Sequence, residues 1–490
     1  MSDAVLVFDL GTTRLKAAVF DPDGTLLGME ACRHVEHRDG PHVWQNADAW
    51  WSDTLRLGQR VTSRVTDRRF VAVSLSGRGG AAVFADASGE VLVHPWSDNR
   101  HRAELAELGT WREEGMRLST YGAALIAKHR WLRSHEPMLA SRITRACYGK
   151  DFLLFRLCGA HLTDPSSGPD ALGWDPPVLT RAAVPSDLLP EPAVPWHVAG
   201  RLNDAVARAL ELPLGTPVVV GAHDGICANV GAGAAGCGRW ALTLGTHAVA
   251  RVVLDHVPNG VTRFYGLPPD RHVIGGNALY AGFAPDWFLD VATDPPGDQG
   301  VGEHRAGALE KLDAEAAAVP PGARGVRFLP FLGGRVAPER RPRASGSFTG
   351  MRMSHTRTDL YRAVLEGAAF AIRDVYGELA RACGAAPSMR LTGSGAASAP
   401  WTTILADVLR VPLEVTDTAV EGRGAAIFAA IALGRFADYD AAADHMVHVT
   451  RRVLPDEARA TLYDEIYAHW RDVERITRAL DAATVDPPRR

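Results

Sequence analysis

The residues best suited to chemistry fall in four short segments. In Asp9-Leu10-Gly11-Thr12-Thr13-Arg14-Leu15-Lys16 a carboxylate precedes a Gly/Thr turn and a lysine follows it; the chain's other lysines are Lys128, Lys150 and Lys311. A hairpin tip of this composition aims backbone N–H groups and hydroxyls at one point, which suits a phosphate. A carboxylate at the end of the preceding strand can hold Mg²⁺ largely through water. An ordinary bend explains the same glycine, so the segment alone leaves both readings open. Gly221-Ala222-His223-Asp224-Gly225 follows the β-branched run Pro217–Val220. Asp224 then lies at or just past the C-terminal end of a strand, where open α/β sheets bind ligands. A carboxylate there can accept the proton of a hydroxyl that attacks a phosphoryl group. The competing reading is an aspartate N-cap for the helical run that follows. His223 reads as a structural neighbour rather than a catalyst.

The third segment, Gly393-Ser394-Gly395-Ala396-Ala397-Ser398, leads from a strand to a helix. It lacks the lysine of a Walker P-loop and the spacing of a dinucleotide fingerprint. Its small residues let a flat ring or a phosphate approach the backbone, although alone it reads as a tight turn. The fourth pairs Ser76-Gly77-Arg78-Gly79-Gly80 with Trp96-Ser97-Asp98-Asn99-Arg100. Together they offer an aromatic face, a carboxylate and guanidinium forks, the equipment for gripping a polyhydroxylated molecule. Packing for Trp96, a turn for Asp98 and a solvated charge for Arg100 are the plainer readings.

The elements that must position these segments alternate between strand and helix. Val5–Asp9, Leu15–Phe20 and Thr25–Met29 read as a meander around the turns Leu10–Arg14 and Asp21–Gly24. Phe70–Leu75, Ala81–Ala85 and Val91–Val93 read as further strands, and Ala123–Ser134 and Lys150–Leu157 as helices. In the second half Arg357–Gly384, Ala399–Leu409 and Arg423–Leu433 have helical spacing, while Met389–Thr392 and Leu413–Thr416 are strand-like. This alternation predicts an α/β protein with largely parallel sheets. Residues 8–20, FDLGTTRLKAAVF, match residues 242–254, LTLGTHAVARVVL, when aligned on Leu-Gly-Thr. A single repeat at this distance predicts two related halves, with Gly245-Thr246-His247 as a second phosphate tip. The Pro/Gly-rich stretches 183–200 and 294–302 read as surface connections, 320–346 carries further turn signals, and Pro487–Arg490 reads as a frayed tail.

A chain of 490 residues, 46% hydrophobic and 22% charged, is long enough for two or three domains and too apolar for disorder. Lys+Arg 53 against Asp+Glu 57 gives a net charge of −4, which argues against a nucleic-acid partner. Arg340-Arg341-Pro342-Arg343 reads as a solvated loop, and the tryptophans do not alternate with basic residues as stacking platforms would. No run approaches the ~18 apolar residues of a membrane helix. The start MSDAVLVFDL lacks the positive charge of a signal peptide, so a soluble, cytoplasmic protein is expected. The six cysteines (Cys32, Cys147, Cys158, Cys227, Cys237 and Cys383) form no Cys-x-x-Cys pair and are expected to be reduced core thiols. No histidines have metal-ligand spacing.

Taken together, these segments resemble the FGGY family of carbohydrate kinases, within the superfamily that shares the actin-like ATPase fold. The resemblance runs from about residue 4 to about residue 435 and keeps the family's motif order. Its most specific part is Gly346-Ser347-Phe348-Thr349-Gly350-Met351, then seven residues, then Asp359-Leu360-Tyr361-Arg362-Ala363-Val364-Leu365-Glu366; Glu421 to Ala426 also matches. The resemblance implies an α/β fold of two domains, each an RNase-H-like mixed sheet flanked by helices. Residues 1–240 would form the domain with the substrate side and the first phosphate hairpin, 241–440 the nucleotide domain, and 441–490 a helical extension. ATP and the sugar would meet in the cleft between the domains. The implied activity is ATP- and Mg²⁺-dependent phosphorylation of a hydroxyl on a small sugar or polyol.

Carried over by residue, Asp224 is the implied catalytic base and, with Asp9, the implied Mg²⁺ site. Gly11, Thr12, Thr13 and Lys16 belong to the first phosphate hairpin, and Gly245 and Thr246 to the second. Gly393, Gly395 and Ala396 lie where adenine and ribose would rest. Gly77, Arg78, Gly79, Trp96, Asp98, Arg100 and Asp224 are the implied acceptor contacts. No nucleic acid or membrane partner is implied; many relatives form homodimers, and the sequence leaves open whether this chain does. The departures concern the acceptor. Xylulose-kinase-like members continue the Ser-Gly of the substrate loop with Gln-Met-His, where this chain has Arg78-Gly79-Gly80. That change predicts a roomier pocket with a new positive fork, which admits a bulkier, acidic or cyclic polyol besides xylulose. Lys128, Trp131 and Leu132 fit the N-terminal signature, but Leu125 replaces a proline or small hydroxyl residue and His135 is shifted. His247 stands where serine is common. An actin-like ATPase switch without a small acceptor is the alternative of a different class, and it would leave residues 77–100 and Asp224 without a task.

Overall fold

An apolar strand run needs cover on both faces, and Ala4–Leu10 has it: every one of those residues is buried, in the strand Ser2–Leu10 at the heart of a six-stranded sheet. The computed structural model describes residues 2–169, 173–261, 263–292, 301–417 and 419–481. They form an α/β chain that divides into two compact units, one of Met1–Ala235, Tyr265–Arg271 and Ala419–Val447, the other of Gly236–Phe264, His272–Thr418 and His448–Arg490.

The first unit's sheet runs Val198–Arg201, Pro217–His223, Arg68–Gly77, Ser2–Leu10, Arg14–Phe20, Leu26–Arg33. The second, third and fourth of these strands are mutually parallel, and the outer pairings are antiparallel. Six of the seven strands in the second unit's sheet run Val449–Val453, Leu413–Thr416, Met389–Thr392, Trp240–Leu244, Ala248–Leu254, Arg271–Ala278. Their pairings are antiparallel, parallel, parallel, antiparallel, antiparallel. That is the same order of directions as in the first sheet, so the repeated hairpin is the visible part of a longer structural repeat. The two tips differ by one residue: Leu10 pairs with Leu15, but Leu244 pairs with Ala248, one position before the Val249 that the sequence alignment had matched to Leu15.

Helices cover these sheets where their caps and apolar faces direct. Helix Ala47–Thr62 starts at Asn46, whose side chain accepts from Asp48 and Ala49 N–H. The long helix Arg357–Cys383 opens on a Thr356–Asp359 capping box and is buried over most of its length. In the second unit, Glu366 of that helix pairs with Arg362 at 2.8 Å and accepts the Tyr463 hydroxyl at 3.1 Å. This ties it to the last helix, Glu457–Asp481.

Helix Val420–Ala432 begins three residues before the expected Arg423. It packs in the first unit against Asp224–Gly231. Backbone touches backbone there: a Cβ on Gly424 would lie 2.0 Å from the Cys227 carbonyl oxygen, and one on Gly231 1.9 Å from that of Val420. The fully buried Arg423 donates to the carbonyls of Gly24 (3.1 Å) and Gly231 (3.3 Å).

Several expectations change. The third strand runs on to Arg33, and the stretch 183–200 contributes the edge strand Val198–Arg201 rather than only a surface connection. Arg341 is not solvated; it pairs with Glu474 and Asp481. All six thiols are free, but of the expected core thiols only Cys147 and Cys227 are buried; Cys32, Cys158 and Cys383 are half-buried and Cys237 is exposed. Residues 294–300 and Pro487–Arg490 lie outside the described residues. No described helix is long and apolar enough to cross a membrane.

Two glycines should respond oppositely to alanine. Gly424→Ala pushes two helices apart and should cost about 3 kcal/mol or more, whereas Gly377→Ala meets nothing within 4 Å. In its helix interior the latter should stabilise by about 0.5–1 kcal/mol. Thermal unfolding of both variants checks the pair.

Candidate active site

Strand ends collect the first group of side chains. Asp9 lies opposite Lys16 across the antiparallel hairpin and beside Ser76 on the parallel strand. Its carboxylate, 4% exposed, accepts from Lys16 Nζ at 3.0 Å and from the Ser76 hydroxyl at 2.9 Å. Lys16 also lies 3.6 Å from Glu421. Burial works against the lysine's charge, but the Asp9 and Glu421 carboxylates outweigh it and hold the ammonium well above the ordinary lysine range. Glu421 is pushed up by burial and by the charge of Asp9, with Asp224 adding to the effect.

The tip itself is a tight turn, with Gly11 N–H donating to Arg14 carbonyl at 3.0 Å. The carbonyls of Thr12 and Thr13 face inward and accept from Gln45 (3.2 Å) and His34 N–H (2.9 Å). Thr12 and Thr13 are otherwise exposed.

Asp224 opens the helix Asp224–Gly231 without capping it. His223 takes the cap instead, its Nδ1 accepting from Gly225 N–H at 2.9 Å. The aspartate cap weighed from sequence is therefore replaced, and the Asp224 side chain stays 32% exposed, 3.2 Å from His223 Nδ1. The imidazole is stacked on Tyr121 (centroids 5.0 Å) and tilted against Tyr265 (4.6 Å), with Nε2 3.1 Å from the Tyr121 hydroxyl. These contacts pack and hydrogen-bond the ring on both faces and both nitrogens.

The loop after Arg68–Gly77 is shaped by what its glycines admit. A Cβ on Gly77 would come within 2.8 Å of Lys150 Cβ, and one on Gly79 within 2.3 Å of the Tyr121 ring. The space beside Gly79 is thus filled by Tyr121, which corrects the expectation of a roomier pocket there. Arg78 reaches the Thr12 carbonyl (3.4 Å) and Gln45 Oε1 (3.2 Å) and lies 5.6 Å from the Trp50 ring centre. Its Nε is buried without a hydrogen-bond partner. Among the described residues no carboxylate pairs with it. Burial lowers its pKa, opposed by the charges of Asp224 and Glu36.

The 96–100 cluster is bound up in itself. Arg100 grips Asp98 through Nε at 2.7 Å and Nη2 at 2.5 Å and lies over Trp96 and Trp131. Asp98 also accepts Val43 N–H at 2.9 Å. Burial would raise its carboxyl, but these donors hold it far below the usual carboxylate range. Trp96 is buried, and its Nε1 donates to His101 at 3.3 Å. Lys128 joins this cluster to the glycine loop, donating to the carbonyls of Trp96 (2.7 Å) and Gly80 (3.2 Å).

In the second unit Gly245 and Thr246 form the shorter tip. Gly245 N–H donates to the His247 carbonyl (3.1 Å), and Phe283 N–H to that of Thr246 (3.0 Å). His247 is a brace: its Nδ1 accepts Tyr280 N–H at 3.1 Å. Gly393 has φ +91°, and a Cβ there would lie 2.4 Å from the Leu244 carbonyl oxygen; one on Gly395 would lie 2.5 Å from the Trp401 ring. The loop is a short 3₁₀ turn, Ser394–Ala397, after which Ser398 caps helix Ala399–Leu409. Ala396 is buried, and its carbonyl accepts from Arg451 at 3.0 Å. The structure thus gathers the candidate residues into one group per unit. Sequence reasoning missed Tyr121, Tyr265 and Gln45, which sit in no motif and reach the site only through tertiary contacts.

An α/β chain with a strand-end carboxylate, a hydroxyl-bearing hairpin and glycine loops has the parts of a phosphotransferase. Residues 4–231 match the N-terminal domain of the FGGY family of carbohydrate kinases and residues 233–433 its C-terminal domain. The chain belongs to that family and is a carbohydrate kinase. It is 26% identical to a gluconokinase of Bacillus licheniformis, over 95% of this chain and 94% of that one. It is 28% identical to a xylulose kinase of Escherichia coli (strain K12), over 82% and 84%. Its fold is that of a xylulose kinase from Rhodospirillum rubrum, with a TM-score of 0.83 at 26% identity over 98% of this chain and 100% of that one.

Burial, aided by the charge of Arg78, holds the Lys128 ammonium down to about 7. The unfolded chain, at the ordinary value of 10.5, then binds that proton more tightly between those two pH values, so stability rises with pH across the window. Lys128→Met removes this dependence. Thermal unfolding of wild type and variant at pH 7 and pH 9.5 should show the wild type gaining a few degrees relative to the variant; an unchanged difference would mean that the ammonium is solvated.

Proposed function

We propose that this kinase transfers the γ-phosphoryl group of ATP to a hydroxyl of a small sugar acid of the aldonic class, with Asp224 as catalytic base. The observation that carries this reading is one pair of neighbours: Asp224, which is released from capping by His223, and Arg78, a mostly buried cation in its electrostatic reach that no described carboxylate neutralises. A buried guanidinium with an unused N–H is costly unless an anion completes it. A substrate carboxylate fits its planar fork. The similarity to the Bacillus gluconokinase supports an acid, and the similarity to xylulose kinases supports a neutral ketopentose. Arg78-Gly79-Gly80 favours the acid.

The chemistry assigned to the chain's own residues is short. The Asp224 carboxylate accepts the acceptor's hydroxyl proton while that oxygen bonds to the γ-phosphorus. The bond to the bridging oxygen breaks, and ADP departs with the electron pair. In the first unit Gly11, Thr12, Thr13 and Lys16 offer N–H groups, hydroxyls and one ammonium to phosphate, and in the second Gly245 and Thr246 offer N–H groups and a hydroxyl. Gly393, Gly395 and Ala396 leave the backbone open to a ribose and a flat base. Gly77 and Gly79 shape the acceptor loop, and Trp96, Asp98 and Arg100, locked together, serve as its rigid wall.

Among the described residues no three metal-ligating side chains converge. That suits Mg²⁺, which commonly takes one or two carboxylates and completes its shell with water and phosphate. Asp9 and Asp224 would hold it, and when bound it supplies charge that offsets the phosphates.

ATP consumption should be followed against ketopentoses, alditols, aldonic acids and cyclitols. An aldonic acid should give the highest kcat/KM. Asp224→Ala should lower kcat by about 10²–10⁴-fold with the fold intact, and near-normal turnover would rule out the base. Arg78→Met should raise KM for the acid by about 10–100-fold while leaving KM for any neutral acceptor little changed. Preference for a neutral acceptor that survives Arg78→Met would overturn the acid assignment.

A further inference from the structure

The strand that delivers Asp224 does not reach it in register. Val219 lies opposite Ser74 and Ala222 opposite Ser76, so Val220 and Gly221 together face Leu75 alone. This is a β-bulge, a device that re-aims the residues beyond it. Gly221 makes it feasible, with φ +68° and a backbone so close to Leu75 that a Cβ would lie 1.7 Å from its carbonyl oxygen. A bulge leaves ladder groups without sheet partners, and here four backbone groups around it are met from outside the sheet. Val220 N–H donates to His197 carbonyl (3.1 Å) and Gly221 N–H to that of Pro195 (2.9 Å). The Val220 carbonyl accepts from Lys150 Nζ at 3.3 Å, and His223 N–H donates to the Ser166 hydroxyl oxygen at 3.2 Å.

Lys150 and Ser166 are themselves fixed by one buried carboxylate. Asp164, 0% exposed, accepts Ser166 N–H (2.9 Å) and the Ser166 hydroxyl on one oxygen. Its other oxygen accepts the Ser167 hydroxyl at 2.6 Å and lies 3.3 Å from Lys150 Nζ. Lys150, 1% exposed, also donates to Asp151 at 2.6 Å. All four acceptor positions of Asp164 are thereby used. A buried ion group of this kind is poor value as a stabiliser, because apolar side chains of the same volume often do as well. Its geometric output is specific: one ammonium and one hydroxyl, held at set positions on the two sides of the bulge.

We propose that Lys150, Asp164 and Ser166 are positioning residues for Asp224. They clamp the bulged strand end at Val220 and His223 and so fix the direction in which the Asp224 carboxylate leaves the sheet. This inference rests on the reading of Asp224 as base, and its test separates the two.

Ser166→Ala in the full chain is the mildest probe, with Lys150→Met as the second variant and Ser166→Thr as the conservative one. Gluconate is the acceptor. Ser166→Ala should lower kcat by about 10–100-fold while the KM values for gluconate and ATP stay within about twofold; Ser166→Thr should restore most of the loss. In an Asp224→Asn background Ser166→Ala should have no further effect on kcat, because nothing is left to position. An equal fold-loss in both backgrounds would mean a general structural role and overturn the proposal. Normal kcat in Asp224→Asn would instead defeat the base assignment.

Hydrogen exchange needs no acceptor. Ser166→Ala should speed exchange in residues 220–225 by about tenfold or more, with the strand Ser2–Leu10 unchanged. Unaltered exchange at 220–225 would overturn the clamp whatever the substrate proves to be.

Discussion

A carboxylate buried at the end of a central strand cannot remain charged without close partners, and Asp9 imposes that requirement on the first unit. Its two oxygens are met from two different strands, by Lys16 across the hairpin and by Ser76 from the parallel neighbour. Lys16 then needs a second anion and finds Glu421, which lies more than 400 residues further along the chain. Glu421 sits in the first turn of helix Val420–Ala432, and two residues later Arg423 anchors that helix to the carbonyls of Gly24 and Gly231. The charge on one strand end thus accounts for the hairpin register, for the identity of its neighbour at 76, and for a late helix belonging to the first unit.

The sequence disclosed the local part of this arrangement. The hairpins, the glycine turns and the helix ends were legible because their signals are short-range: alternation, turn residues and caps. The repeat at Leu-Gly-Thr was legible too, although its one-residue difference in register was not, since apolar positions tolerate a shift that the hydrogen-bond ladder does not. The partners that finish the site were hidden. Tyr121 fills the space beside Gly79, and Ser166 reaches His223 across 57 residues; neither carries a spacing that marks it. The cap on helix Asp224–Gly231 was hidden for a different reason. Histidine and aspartate are adjacent, and composition favours the aspartate, but the bulge before them turns the imidazole onto Gly225 N–H and leaves the carboxylate outside.

That substitution of partner matters chemically. A carboxylate spent on a helix cap accepts backbone N–H groups and is a weaker proton acceptor for anything else. Giving the cap to an imidazole wedged between two tyrosines keeps Asp224 in place while its oxygens stay available. The same economy governs Arg78, which is held by a carbonyl and an amide oxygen rather than by a carboxylate, so that its charge is positioned but not cancelled.

The structural repeat sharpens this contrast. By strand position, Asp9 corresponds to Thr243, the residue opposite it to Val249 instead of Lys16, and Ser76 to Thr392. Thr392 donates its hydroxyl to that of Thr243 at 3.2 Å, and Arg251 donates to the same oxygen at 2.9 Å. The crossing of hairpin and parallel strand is therefore built twice, once around an ion pair and once around two hydroxyls and a guanidinium with no carboxylate. A buried carboxylate is expensive to maintain and is kept where its charge has work to do, whereas two threonines hold the same strands together without one. Two units on one strand plan have thereby come to differ in kind. The first concentrates ionisable groups, Asp9, Lys16 and Asp224, at its strand ends. The second places two hydroxyls and the Arg251 guanidinium at its crossing, beside close-packed glycines.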